Sequence, residues 1–201
     1  MRFLFRLFVA SLIATTALMA PSSPAYAAVD VGQPAPDLVV DRLDGQAFDL
    51  ANQRGEVTII NFWATWCEPC RKETPALQAV YRRYHADGLE MIGLSADRAH
   101  ERAEVAKAAA SFGYPVAMLE DTEDNGFGSP AELPQTYVVD RNEIIRAVFL
   151  PDKGALTEQA LTDAVLPLLA EKASNPAHKQ LTPRPHHKSF WQRLFRSSNS
   201  D

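Results

Sequence analysis

The sequence predicts an α/β domain built on a central mixed β-sheet flanked by helices, and three observations lead there. Residues 57–64 and 89–95 are apolar, β-branched and nearly uncharged, as buried strands are, and a helical pattern separates them. A second, alanine-rich helical stretch over 100–112 leads to a short apolar run at 115–119. Two later strand-like runs, 136–140 and 144–150, flank a turn at Arg141-Asn142 and precede a last amphipathic helix over 157–171. The order is ββ, then β-α-β-α-β, then ββ-α. Parallel strands joined by crossover helices, followed by an antiparallel hairpin and a covering helix, give a mixed sheet with helices expected on both faces.

Each element has a local reason. Residues 28–36, with Pro34 and Pro36, read as an extended lead-in. Runs 37–40 and 47–50 read as short strands, and Asp44-Gly45 between them is a hairpin turn signal. Within 71–87, Leu77, Val80, Tyr81 and Tyr84 recur on one side of a helix, and Gly88 supplies its C-terminal stop. Gly113 closes the second helix. Residues 120–132 are acidic and contain glycine, so a loop is expected.

Composition bounds the setting. Arg2 and Arg6, an apolar stretch of 14 residues from Leu7 to Ala20, and Ala25-Tyr26-Ala27 fit a secretory signal over 1–27. An uncleaved signal-anchor to the inner membrane is the alternative, although the stretch is short for a span. Either way the remainder is expected in a bacterial periplasm, an oxidising compartment. The remaining 174 or so residues suffice for one domain, 28–171, with a basic tail over 172–201. Residues 28–170 hold 12 basic against 23 acidic residues, a net of −11. An acidic body argues against nucleic acid as a partner.

The chemistry concentrates in Trp66-Cys67-Glu68-Pro69-Cys70, which holds the only two cysteines of the chain. The pair sits where a strand hands over to a helix. Unpaired N–H groups and a partial positive charge at a helix N-terminus favour thiolate over thiol. A zinc site would need more ligands than one cysteine pair offers. A purely structural disulfide would close so short a loop that it would stabilise little. Redox exchange is the remaining chemistry, and no metal or organic cofactor is expected beyond the redox-active disulfide itself.

The stretch from Asn61 to Leu77 resembles the active site of thioredoxin-like proteins of the TlpA/ResA type. Gly32-x-x-Ala35-Pro36 and Leu43-Asp44-Gly45 resemble the N-terminal extension of that family, and the run from Leu133-Pro134 to Asp140 resembles its cis-proline strand. The resemblance implies a thioredoxin-like fold with an N-terminal β-hairpin extension. It also implies thiol–disulfide exchange with exported, disulfide-containing proteins, often the haem-attachment cysteines of apocytochrome c, with recharging by an inner-membrane thiol electron donor. Cys67 matches the exposed nucleophile and Cys70 the buried resolving thiol. Glu73, one helical turn after Cys70, matches a glutamate that serves as general base, which matters because Asn61 stands where conventional thioredoxins carry a buried aspartate. An exposed helix charge is the alternative for Glu73. Pro134 matches the cis-proline, and Leu133 before it is bulkier than usual for substrate pairing.

Glu68 and Pro69 are the expected tuners of the redox poise. Pro69 stiffens the first helical turn. Glu68 would disfavour the Cys67 thiolate by like charge and so make the pair a reductant, unless it is a solvated surface charge of little effect. Trp66 and Trp63 are expected as partly exposed lids beside the dithiol, with Trp63 as simple core the alternative. Two other functions compete. A copper-binding, metallochaperone-like module could use the same cysteines, but His85 and His100 are the only histidines of the folded body. A peroxidase is disfavoured because Ala64 stands where peroxide-reducing relatives place a threonine three residues before their cysteine. In the tail, Phe190, Trp191, Leu194 and Phe195 at helical spacing with basic neighbours would suit weak contact with a membrane surface.

Overall fold

The computed structural model describes residues 29–171, so the predicted signal over 1–27 and the basic tail over 172–201 lie outside the described residues. The strands are β1 (Leu38–Arg42), β2 (Ala47–Asp49), β3 (Val57–Trp63), β4 (Leu89–Ser95), β5 (Val116–Asn125), β6 (Gln135–Val139) and β7 (Ile145–Phe149). The helices are α1 (Glu68–Tyr84), α2 (Arg102–Ala109) and α3 (Glu158–Ala170). All seven strands join one sheet in the order β2-β1-β5-β4-β3-β6-β7. β3, β4 and β5 run parallel, and the outer pairings are antiparallel.

β3 is buried along all seven residues, which explains its lack of polar alternation. Val57, Ile59 and Trp63 point into one apolar cluster, and Ile60 and Phe62 into the other. The first cluster holds every buried apolar residue of the three helices, among them Leu77 and Val80 of α1, Val105 of α2, and Leu161 and Val165 of α3. The helices therefore cover one face, not both as the element order suggested. The reason is topological: the chain steps from β3 to β4 to β5 in one direction, and right-handed crossovers then place α1 and α2 on the same side. The other face is closed without an α-helix, by Leu50 of a 3-10 turn over Leu50–Gln53, the lead-in residues Val29 and Ala35, and Phe127.

Four local readings need correction. β5 runs on to Asn125, through half of the expected acidic loop, because β1 pairs with it at Val39–Asp124 and Leu38–Asn125. Its charges stay solvated or paired while the backbone is satisfied: Glu123 and Asp124 are exposed and Asp121 meets Arg102 at 2.5 Å. α1 begins at Glu68, three residues earlier than its apolar spacing indicated, so Cys70 lies in its first turn. α2 is shorter than expected, with a 3-10 turn over Ala99–Glu101 before it. In the β6–β7 turn the left-handed residue is Glu143, φ 62°, rather than Asn142. The Asp140 carboxylate holds that turn by accepting from the backbone N–H groups of Asn142 and Ile144.

Leu77 is 1 % exposed and sits between α1 and the sheet. Leu77→Ala is expected to lower unfolding free energy by about 2–5 kcal/mol in a denaturant titration of the oxidised protein.

Candidate active site

Two strand registers assemble the site at the carboxyl end of β3. In the parallel pair, Trp63 is opposite Ser95, so the segments leaving β3 and β4 run side by side. In the antiparallel pair, Phe62 is opposite Gln135, so continuing the register sets Pro134 and Leu133 against Trp63 and Ala64. The Leu133-Pro134 peptide bond is cis, as the family resemblance implied, and Pro134 is buried.

Cys67 is the N-cap of α1, with extended backbone at φ −81°, ψ 103°. Its Sγ accepts from the Cys70 N–H at 3.2 Å, satisfying one of the unpaired donors of the first turn. Cys67 and Cys70 are disulfide-bonded. Pro69 occupies the first turn, where its missing N–H costs nothing. Both cysteines are largely buried, Cys67 at 4 % and Cys70 at 3 % exposure, so in the oxidised state the expected contrast between an exposed and a buried thiol is absent. Cys67 caps the helix end and belongs to the apolar cluster that Leu133 packs against.

The carboxylates divide sharply. Glu68 is 67 % exposed and 2.8 Å from Lys72 Nζ, and Lys72 holds its carboxyl below the ordinary value. Its charge is shared with a cation and screened by water, which favours the solvated-charge reading over the tuning one. Glu73 is the opposite case. It is 5 % exposed on the buried side of α1 that also carries Cys70, and Oε1 accepts from the Leu156 N–H at 2.8 Å. Burial raises its carboxyl above the usual range, and the Leu156 bond opposes that rise. The exposed-charge alternative is thereby removed. Asn61 is buried and neutral, donating from Nδ2 to Thr136 Oγ1 at 2.9 Å.

Trp66 is 63 % exposed, as expected of a lid. Trp63 is core: it is 3 % exposed and its ring lies 4.8 Å from that of Phe112. A groove of about 800 Å³ opens at Trp66, the residue before Cys67, and its walls also include Leu119, Thr122, Asn125 and Leu133. Asp97, Glu120 and Glu132 also line it, and among the described residues no lysine or arginine does. His85 is remote from this region, at the far end of α1, where Nδ1 is 3.0 Å from the Leu89 carbonyl.

Sequence reasoning missed one cluster. Asp97 is 1 % exposed, and its carboxylate accepts from the Thr65 N–H at 2.9 Å, the Thr65 hydroxyl at 2.5 Å and the Ser95 hydroxyl at 2.6 Å. Arg71 Nη1 donates to the Thr65 carbonyl at 2.8 Å. The available signal was Ser95-Ala96-Asp97 at the end of a strand parallel to β3, which sets Asp97 beside the residues leading to the dithiol.

A cysteine pair closing the first turn of a helix, fed by an internal strand and faced by a cis-proline, defines a thioredoxin-like protein of the thiol–disulfide oxidoreductase class. A family model described as AhpC/TSA family matches residues 31–148, and the chain belongs to that family. It is 32 % identical over 135 residues to the thiol-disulfide oxidoreductase ResA of Geobacillus thermodenitrificans, covering 66 % of this chain and 74 % of that protein. It is 32 % identical over 114 residues to ResA of Bacillus cereus, covering 57 % of this chain and 66 % of the relative. A crystal structure of a thiol:disulfide interchange protein of the thioredoxin family from Chlorobium tepidum superposes with a TM-score of 0.58 at 26 % identity, over 70 % of this chain and 98 % of that one.

Glu73 gives a signed pH dependence. A carboxyl whose value is raised on folding binds more protons folded than unfolded, so its contribution to stability is full below the ordinary value of 4.5 and is lost as pH rises through the raised one. Glu73→Gln keeps the acceptor for Leu156 and is expected to remove that component. The difference in unfolding free energy between variant and wild type should then grow in the variant's favour as pH rises from about 4.5. Parallel chemical denaturations across pH check this. The same variant should exchange disulfides more slowly.

Proposed function

We propose that the chain is an exported, periplasmic thiol–disulfide reductase, acting on proteins with accessible disulfides, the haem-attachment cysteines of apocytochrome c among them. The observation that carries the reading is the Cys67–Cys70 pair at the N-terminus of α1, with buried Glu73 one turn along the same face. In the reduced protein, the Cys67 thiolate attacks one sulfur of a substrate disulfide, forming a mixed disulfide and expelling the other sulfur as thiolate. Cys70 passes its proton to Glu73 and attacks Cys67 Sγ. The Cys67–Cys70 bond forms, the second substrate sulfur leaves, and two electrons have moved to the substrate. An external dithiol on the inner membrane returns the electrons and restores the two thiols.

The substrate segment would lie in the groove, with its backbone along the stretch before Pro134 and its apolar side chains against Trp66 and Leu133. The exposed Glu120 and Glu132 of its lining favour a cysteine flanked by basic residues. Export rests on the signal pattern ending at Ala25-Tyr26-Ala27. No helix among the described residues is long and apolar enough to cross a membrane. An uncleaved signal would serve as an inner-membrane anchor, and the basic tail with Trp191 would suit a surface contact.

The equilibrium reduction potential of the Cys67–Cys70 pair tests the direction. A value near that of thioredoxin, about −270 mV, is expected of a reductant, whereas about −120 mV would make the protein a disulfide donor. Glu132→Lys should lower the reduction rate of a disulfide peptide with Lys or Arg beside its cysteine more than that of its acidic counterpart. Equal loss on both peptides would remove the charge preference.

A further inference from the structure

We propose that Asp97 is a positioning residue of the redox centre and that its buried charge makes the Cys67–Cys70 pair reducing. The inference rests on the thiol–disulfide reading above and adds the residue that sets its direction.

The geometry is specific. Asp97 follows β4 by two residues as Thr65 follows β3 by two, and the parallel register of Trp63 with Ser95 brings the two together. Thr65 is held at all three of its polar groups: N–H and hydroxyl by the Asp97 carboxylate, carbonyl by Arg71. Thr65 is followed directly by Trp66 and Cys67, so this clamp fixes the approach of the dithiol and of the exposed tryptophan beside it. Ser95 completes the arrangement, donating its hydroxyl to Asp97 Oδ2 and accepting the Asp97 N–H at 3.2 Å.

The three donors to this carboxylate are all neutral. Its negative charge is thus buried against Thr65, two residues before Cys67, with no lysine or arginine among these donors, in surroundings where charge is poorly screened. Neighbouring charges do not play that part. Glu68 is solvated and paired with Lys72. Arg71 gives its Nη1 to the Thr65 carbonyl and is itself exposed. Glu73 is tied to Leu156. Glu120, which accepts from the Ala99 N–H, and Glu132 are exposed residues of the groove. A nearby like charge disfavours the Cys67 thiolate and hence the reduced form, and a pair whose reduced form is less stabilised is the better reductant.

Asp97→Asn and Asp97→Ser remove the charge while leaving a polar side chain for Thr65. Each is equilibrated with glutathione buffers, and Cys67 alkylation is followed against pH. We expect the equilibrium constant to move about tenfold toward the dithiol, about 30 mV less reducing for a two-electron couple, with Cys67 alkylated at lower pH than in wild type. An unchanged constant in a folded Asp97 variant would overturn the charge role even if its melting temperature fell, since a merely structural residue would do that. Thr65→Val keeps the charge and loses one donor. It should slow exchange several-fold at an unchanged potential, and an unchanged rate would overturn the positioning role. Wild type that reduces no disulfide substrate would instead sink the functional reading, whatever the variants do.

Discussion

The backbone ladders on the two sides of β3 are the constraint on which the redox site depends. One register places Trp63 opposite Ser95, and the other places Phe62 opposite Gln135. From the first follow the meeting of Thr65 with Asp97 and the run of α1 back along the sheet. From the second follows the position of the cis Leu133-Pro134 bond. A slip of one residue in either ladder would turn every side chain of the slipped strand to the opposite face. The burial of all seven β3 residues on two apolar faces is what prevents such a slip. Packing far from the sulfurs therefore sets the geometry around them.

Around that frame, three carboxylates differ in what their surroundings let them do. Glu68 faces water beside Lys72, and its field is spent there. Glu73 is buried on the side of α1 that carries Cys70, with a backbone donor from Leu156, and burial raises its carboxyl. Asp97 is buried with three neutral donors, which hold it as an acceptor and pin the loop. The same chemical group is thus solvated beside a lysine in one place, buried with a raised carboxyl in another and tied into a loop in the third.

Much of this was legible in the sequence, because the informative residues are local. The apolar runs marked β3 and β4, and the cysteine spacing at a strand-to-helix junction marked the redox pair. Gly88 marked the end of the first helical segment with φ 95°. What escaped depended on contacts between distant segments. The acidic half of β5 looked like a loop because its composition reports solvent exposure, whereas its backbone pairing with β1 is set by topology. The placement of α1 and α2 on one face followed from the strand order, which no local pattern encodes. Glu68 seemed the natural tuner by adjacency, but adjacency says nothing of Lys72 one turn along. Asp97, thirty residues from Cys67 in sequence, became visible only when β4 was set beside β3.

The proposed exchange requires Cys67 as the attacking sulfur and Cys70 as the resolving one. The direct measurement is mass spectrometry of single-cysteine variants incubated with a disulfide-bonded peptide. Cys70→Ser should accumulate a mixed disulfide on Cys67, while Cys67→Ser should accumulate almost none. Equal adducts on both variants, or an adduct only through Cys70, would contradict the assignment and the direction of attack built on it.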